Sequence, residues 1–242
     1  MAYFWIKKVV KGQARYLNML TNSAFATCPK LPRGGILADC MGLGKTISTL
    51  ALMAVNRGLT LVVCPLSVMA HWKDQIEKFV PSFKVYLFHG PDRDRNVSFL
   101  QDHDVILTTY NIIATESQKG VTSSSSGKKM QFSKSGLFEI DWHRIVLDEA
   151  HNIKNRNAKT SKAIATLKAQ RRWCLTGTPI QNSLDDIYGL ARFLKLEPLD
   201  SYEIFNKAIR RPMLEPGGKV QAIERLKVLL RYYCLRRTQE SK

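Results

Sequence analysis

A short apolar run, Gly35 to Asp39, gives way to Cys40-Met-Gly-Leu-Gly-Lys-Thr46 and then to a helical pattern. This strand, loop and helix constrain the fold of the chain more than any other feature. A second apolar run ends in Leu147-Asp-Glu-Ala-His151. Gly42 and Gly44 let the backbone fold back so that successive N–H groups face an anion at the N-terminus of the next helix. With Met41 and Leu43 they form a candidate phosphate loop, in which Lys45 supplies a point charge for phosphates and the Thr46 hydroxyl a ligand for Mg²⁺. Asp148 would complete the metal site through water, and Glu149 would orient and deprotonate an attacking water, so Lys45, Asp148 and Glu149 are the candidate catalytic residues. The usual phosphate-loop pattern carries a glycine where this chain has Asp39, while the GLGKT core is intact.

Charge and cysteine usage narrow the class. Lys and Arg number 37 against 20 Asp and Glu, a net charge of +17, while 45% of residues are apolar, which excludes a disordered basic tail. A folded basic protein points to an anionic partner, although a solvated basic surface would give the same composition. The five cysteines are far apart and form no CxxC pair, so neither a disulfide framework nor a zinc module is expected, and Cys64 and Cys174 read as small core residues. No stretch approaches the length of an apolar membrane span, and the N-terminus lacks a signal-peptide layout, so an intracellular, reducing compartment without membrane association is expected.

Apolar strand patterns alternate with helical ones, which predicts βαβ units around a mostly parallel sheet flanked by helices. Strands are expected at Gly35–Asp39, Leu59–Cys64, Val85–Phe88, Val105–Thr109, His143–Leu147 and Arg172–Thr176. The helix after the phosphate loop is expected to present Ile47, Leu50, Ala51 and Ala54 on one face, and Ser67 to cap a helix that runs through Trp72 and Ile76 to Phe79. Helices follow at about Leu184–Lys195, Tyr202–Ile209 and Lys219–Leu230. The polar segment from Glu116 to Ser135 lacks periodicity and reads as a surface insertion. In an open parallel sheet the loops after Asp39, Cys64, Thr109, Leu147 and Thr176 should share one edge. Trp72, Trp142 and Trp173 read as core residues in preference to base-stacking platforms, and His71, His89, His103 and His143 have no metal-ligand spacing.

Five strings, GGILADCMGLGKT (34–46), VVCPLSVMAHW (62–72), ILTTYN (106–111), RIVLDEAHNIKN (144–155) and LTGTPIQN (175–182), resemble the successive motifs of the SWI/SNF family of superfamily-two helicase-like ATPases, in order. RWCLTGTPIQNSLDDIYGLARFLKLEPL (172–199) and RLKVLLRYYCLRRT (225–238) resemble most the branch of the helicase-like transcription factor and its post-replication-repair relatives. The resemblance implies a RecA-like P-loop lobe that binds ATP with Mg²⁺, the first of two lobes that clamp ATP and track along duplex DNA without separating its strands. It implies that His151, Thr176, Gly177, Thr178 and Gln181 couple the nucleotide site to DNA, and that Pro65, Leu66, Ser67, Thr108, Thr109 and Asn182 contact the DNA backbone. Such contacts position a protein without reading sequence.

On this basis residues 1–33 lead into the lobe. Residues 34–198 form the ATP-binding lobe, with the insertion at about 116–136, and 199–242 form its C-terminal helical part up to the inter-lobe junction. The second lobe, with its arginine fingers, is expected outside the chain, and the glutamine segment that reads adenine has no convincing counterpart, Gln13 being the sole upstream glutamine. Cys40 stands where many members carry an acidic residue. The leading expectation is the first motor lobe of a nuclear, DNA-dependent ATPase that remodels chromatin or other protein–DNA complexes. An ATP- and DNA-binding fragment without turnover remains an alternative. A DEAH-type RNA helicase shares the metal motif, but MGLGKT and TGTPIQN resemble the SWI/SNF pattern, TGTPIQN standing in place of the SAT-type third motif of RNA helicases.

Overall fold

The computed structural model describes residues 5–10, 12–21, 23–27, 31–117, 136–179 and 184–239. Strands β1 (Trp5–Val10), β2 (Gln13–Asn18) and β3 (Ser23–Phe25) form a small antiparallel sheet. Its hairpin turns at Gly12 and its ring contact, Trp5 edge-on to Phe25 at 5.4 Å, anchors one end. Sequence periodicity assigned no strand there, because β1 buries Trp5 alone and shows no alternating apolar face.

The chain then builds a seven-stranded sheet. In chain order the elements are β4 (Gly34–Leu37), α1 (Lys45–Val55), β5 (Thr60–Cys64), α2 (Leu66–Phe79), β6 (Val85–Leu87), α3 (Val97–Gln101), β7 (Val105–Thr109) and α4 (Tyr110–Glu116). There follow α5 (Gly136–Glu139), β8 (Asp141–Asp148), a 3₁₀ turn at Ala150–Ile153, α6 (Lys159–Thr166), β9 (Lys168–Leu175) and α7 (Leu184–Leu194). Helices α8 (Tyr202–Phe205) and α9 (Arg211–Leu214) are joined by a π segment at Asn206–Arg210, and α10 (Lys219–Tyr233) leads into β10 (Cys234–Leu235). The strand order is β10-β4-β9-β8-β5-β7-β6, and every pairing is parallel, as the alternation of strands and helices predicted.

Pleating divides each central strand between two cores. Val62, Cys64, Leu107, Val146 and Leu175 face Leu50 and Met53 of α1 and Met69, Trp72 and Ile76 of α2. Leu61, Val63, Ile106, Ile145, Leu147 and Cys174 face the larger core, which takes in Ile113 of α4, Ile164 of α6 and Leu190 of α7. Strands covered on both faces read as nearly continuous apolar runs, which is why they were legible. Trp142 is wholly buried, its indole donating to the Leu137 carbonyl at 2.9 Å, and Trp173 is half-buried.

Three local expectations are corrected. Helix α1 buries Thr49, Leu50 and Met53, while Ile47, Ala51 and Ala54 are exposed. Periodicity shows which residues share a face, and only packing against the sheet and α2 decides which face is covered. Ser67 lies inside the first turn of α2: the cap position is Pro65, whose fixed φ of −58° turns the strand into the helix without any side-chain bond. Glu116 is no insertion residue but the buried end of α4, its carboxylate paired with Arg93 and, at 3.1 Å, with Arg95. The rest of the proposed insertion lies almost wholly outside the described residues.

Candidate nucleotide site

Parallel register assembles the motifs. Leu37 pairs with Leu175, Asp148 with Leu175, Val63 with Leu147 and Cys64 with Thr109. The loops after β4, β9, β8, β5 and β7 therefore leave the sheet along one edge, the place where open parallel sheets bind ligands. Strand β9 sits between β4 and β8, so Thr176-Gly177-Thr178 emerges between the phosphate loop and Asp148–His151.

Gly42 and Gly44 have φ of 84° and 77°, values that residues with a side chain rarely adopt, and their turn brings the chain to the N-terminus of α1. Met41 is exposed, and Leu43, Gly44, Lys45 and Thr46 are half-buried, so the loop is accessible. Lys45 Nζ donates to the Asp39 carbonyl at 2.8 Å and to that of Cys40 at 3.4 Å. Gly177 lies beside the loop, the nearest approach to a Cβ built on it being Met41 Cγ at 3.8 Å.

Across the site, Asp148 is held from three directions. The Trp72 indole donates to its Oδ2 at 2.8 Å, the Glu149 N–H donates to Oδ1 at 2.9 Å, and the Tyr110 hydroxyl donates to its carbonyl at 2.7 Å. Burial raises the Tyr110 hydroxyl well above its ordinary value, so it stays protonated as a donor. Glu149 itself adopts φ 49°, a left-handed conformation costly for a non-glycine residue and concentrated at functional sites. His151 Nδ1 lies 3.2 Å from Glu149 Oε2, both side chains 31% exposed. Thr176 accepts the Thr178 N–H at 3.2 Å, and its own N–H donates to the Leu37 carbonyl at 3.1 Å.

Trp72 reads from sequence as core, and it is wholly buried, but neither its bond to Asp148 nor that of Tyr110 is legible in the chain. The signal for them was faint: Tyr110 follows β7 directly and Trp72 lies within α2 after β5, and only the placement of β5 between β8 and β7 brings both to Asp148. Trp72→Phe keeps an aromatic ring but removes the N–H, and loss of a bond to a charged group should lower unfolding free energy by about 1.5–3 kcal/mol. Urea denaturation measures this. A change below about 0.5 kcal/mol would mean that the indole N–H does not hold Asp148.

A second missed residue is Arg237. It donates from its backbone N–H to Asp39 Oδ1 at 2.9 Å and from Nε to Oδ2 at 3.1 Å, and its carbonyl accepts the Cys40 N–H at 3.1 Å. The guanidinium hydrogen-bonded to Asp39 holds that carboxyl below its ordinary value of 3.8. The pair therefore adds stability above that value and loses it as the pH falls further. Asp39, which breaks the phosphate-loop pattern, is thus a buried anchor for a residue 198 positions away.

The expected DNA-contact residues fare unequally. Leu66 and Ser67 are exposed at the start of α2, beside Pro65. Thr108 is corrected: it is wholly buried, and its hydroxyl donates to the Phe88 carbonyl at 3.0 Å. Thr109 is 6% exposed and its oxygen accepts the Ile112 N–H at 3.4 Å, capping α4. Both hydroxyls are committed inside the fold because β7 is covered on both faces. Gln181 and Asn182 lie outside the described residues.

Three arginines that stand next to another arginine in the chain serve separate local roles. Arg172 is buried with its guanidinium over the Phe193 ring, Arg211 pairs with Glu215 at 2.7 Å, and Arg236 reaches the Gly177 carbonyl at 3.3 Å. Burial raises the thiol of Cys64 to about 12 and that of Cys174 as well, consistent with inert core residues. Among the described residues no cluster of three or more His, Cys, Asp or Glu could hold a metal, and no helix is long and apolar enough to cross a membrane.

A sheet with this order, bearing a glycine loop and an acidic turn at one edge, is a RecA-like core. The chain belongs to the SNF2-related family: the family model of the SNF2-related domain matches residues 13–241. It is 34% identical to the DNA repair protein RAD5B of Arabidopsis thaliana, over 94% of this chain and 20% of that protein. With the helicase-like transcription factor of Homo sapiens it shares 42% identity over 76% of this chain and 17% of the relative. The Sulfolobus solfataricus SWI2/SNF2 ATPase core, solved in complex with dsDNA, is similar at a TM-score of 0.69 and 36% identity, over 86% of this chain and 40% of that one. The chain thus spans about a fifth of the curated relatives and two fifths of the solved core.

Proposed function

We propose that this chain is the ATP-binding first lobe of a DNA-dependent ATPase that moves along duplex DNA and remodels chromatin or other protein–DNA complexes in the nucleus. The observation that carries this reading is the position of β9 between β4 and β8. It sets Thr176–Thr178 between the phosphate loop and Asp148–His151, so that a change at the nucleotide has a short path to a loop next to both. The SNF2-related membership and the likeness to a core solved with dsDNA support DNA as the partner.

The residues divide the work as follows. The backbone N–H groups of Gly42 to Thr46 would bind phosphate oxygens at the positive end of α1, and Lys45 would leave the Asp39 and Cys40 carbonyls for the β/γ-phosphates. Thr46 and Asp148 would hold Mg²⁺. With a single carboxylate and a hydroxyl, the donor set suits an ion that completes its shell with water and substrate phosphate, which is how Mg²⁺ is commonly bound, and not a dedicated cage. Bound there, Mg²⁺ would neutralise phosphate charge. Glu149 would orient and accept a proton from water, with His151 steadying its carboxylate and relaying to Thr176–Thr178 and Gln181. Pro65, Leu66, Ser67 and Asn182 would touch the DNA backbone, and arginines of a second lobe would complete charge stabilisation.

ATP turnover measured with and without duplex DNA tests this. The 242-residue chain should turn over near background, and a protein joining it to a second lobe should be stimulated strongly by duplex DNA, with binding that weakens steeply as salt rises. Brisk DNA-stimulated turnover by the chain alone overturns the need for a second lobe. Preferential stimulation by single-stranded RNA overturns the duplex DNA reading.

A further inference from the structure

A buried carboxylate at the root of a phosphate loop poses an electrostatic problem. Asp39 has no exposure, its own carbonyl accepts Lys45 Nζ at 2.8 Å, and an unneutralised charge there would both repel a triphosphate and hold Lys45 back from it. The compensating charge arrives from the far end of the fold. After α10 the chain lays β10 beside β4, the Ala38 N–H donating to the Leu235 carbonyl at 2.7 Å, and this register delivers Arg237 to both oxygens of Asp39. The same residue's carbonyl accepts the Cys40 N–H at 3.1 Å, so the first residue of the loop is held by its backbone too. Next to it Arg236 reaches the Gly177 carbonyl at 3.3 Å, tying the segment to the loop after β9.

We propose that Arg237 is a positioning residue for nucleotide binding: by neutralising Asp39 it frees Lys45 for phosphate, and the phosphate loop is competent only while segment 234–237 is zipped onto β4. The segment is then a latch, and by linkage nucleotide binding strengthens its hold on the sheet. The charge of Asp39 matters in this arrangement as much as the tether. A purely mechanical tie would tolerate no loss of either partner, whereas a neutralising pair predicts that removing both charges restores what removing the arginine destroys. The proposal rests on the nucleotide-site reading above.

The experiment measures the Kd of a fluorescent ATP analogue with Mg²⁺ on the 242-residue chain and its variants. Arg237→Ala should raise Kd about tenfold or more. Adding Asp39→Asn to Arg237→Ala should bring it back to within about threefold of the parent, and Asp39→Asn alone should bind at least as tightly as the parent. If Arg237→Ala fails to fold, as judged by circular dichroism, Asp39→Asn and the double variant still decide. A double variant as weak as Arg237→Ala, a weakened Asp39→Asn, or an Arg237→Ala equal to the parent each overturns the latch. Lys45→Ala separates the two readings: a parent that does not bind, or binds no better than Lys45→Ala, overturns the nucleotide site and the latch with it. A parent that binds through Lys45 with no effect of Arg237 overturns the latch alone.

Discussion

Lys45→Ala should weaken ATP binding by roughly 30- to 1,000-fold, the equivalent of about 2–4 kcal/mol for one cation near a phosphate at intermediate dielectric. The side chain is half-buried at the mouth of the loop, where water screens it only in part, and its Nζ has the carbonyls of Asp39 and Cys40 to release. Exchanging two carbonyl bonds for a charged phosphate is favourable because charge-assisted bonds are about twice as strong as neutral ones. Titration calorimetry of the parent and variant measures the difference. Equal affinities would remove the phosphate loop from the nucleotide site.

Glu149→Gln should leave ATP affinity within a few-fold of the parent and lower turnover about 10²- to 10⁴-fold in a protein that joins this chain to a second lobe. The amide keeps the shape and one acceptor oxygen but cannot take a proton from water. The backbone argues for a dedicated role: φ 49° at a non-glycine residue costs free energy, and the fold sustains it by anchoring the neighbouring Asp148 through Trp72 and Tyr110. Single-turnover kinetics with bound ATP separate chemistry from binding. Turnover within threefold of the parent would exclude Glu149 as the base, and a matching loss of affinity would recast it as a binding residue.

The parallel sheet was legible from sequence because strands buried on both faces must be apolar almost throughout, as Leu61 to Cys64 and Ile145 to Leu147 are. The glycines of the phosphate loop were legible because their backbone angles exclude other residues. Boundaries and faces were less so. The buried face of α1 is Thr49, Leu50 and Met53, whereas periodicity alone placed it on Ile47, Leu50, Ala51 and Ala54, because a helical pattern does not say which side the sheet will cover. Thr108 and Thr109 looked like donors available to a phosphate, since sequence cannot tell a hydroxyl bonded to Phe88 from one facing water.

What the amino-acid sequence determined by itself was the set of local conformations and chemical types: apolar runs that must pair, glycines that must turn, and the lysine and carboxylates whose charges are intrinsic. What the tertiary structure alone decided was which of them meet. Strand order put Thr176–Thr178 between the phosphate loop and Asp148, α2 brought Trp72 to that carboxylate, and β10 brought Arg237 to Asp39 across 198 residues. Contacts of that separation leave no periodic trace in a chain. They arise from sheet register and burial, and a buried charge such as Asp39 shows its purpose only when its counter-charge is in place.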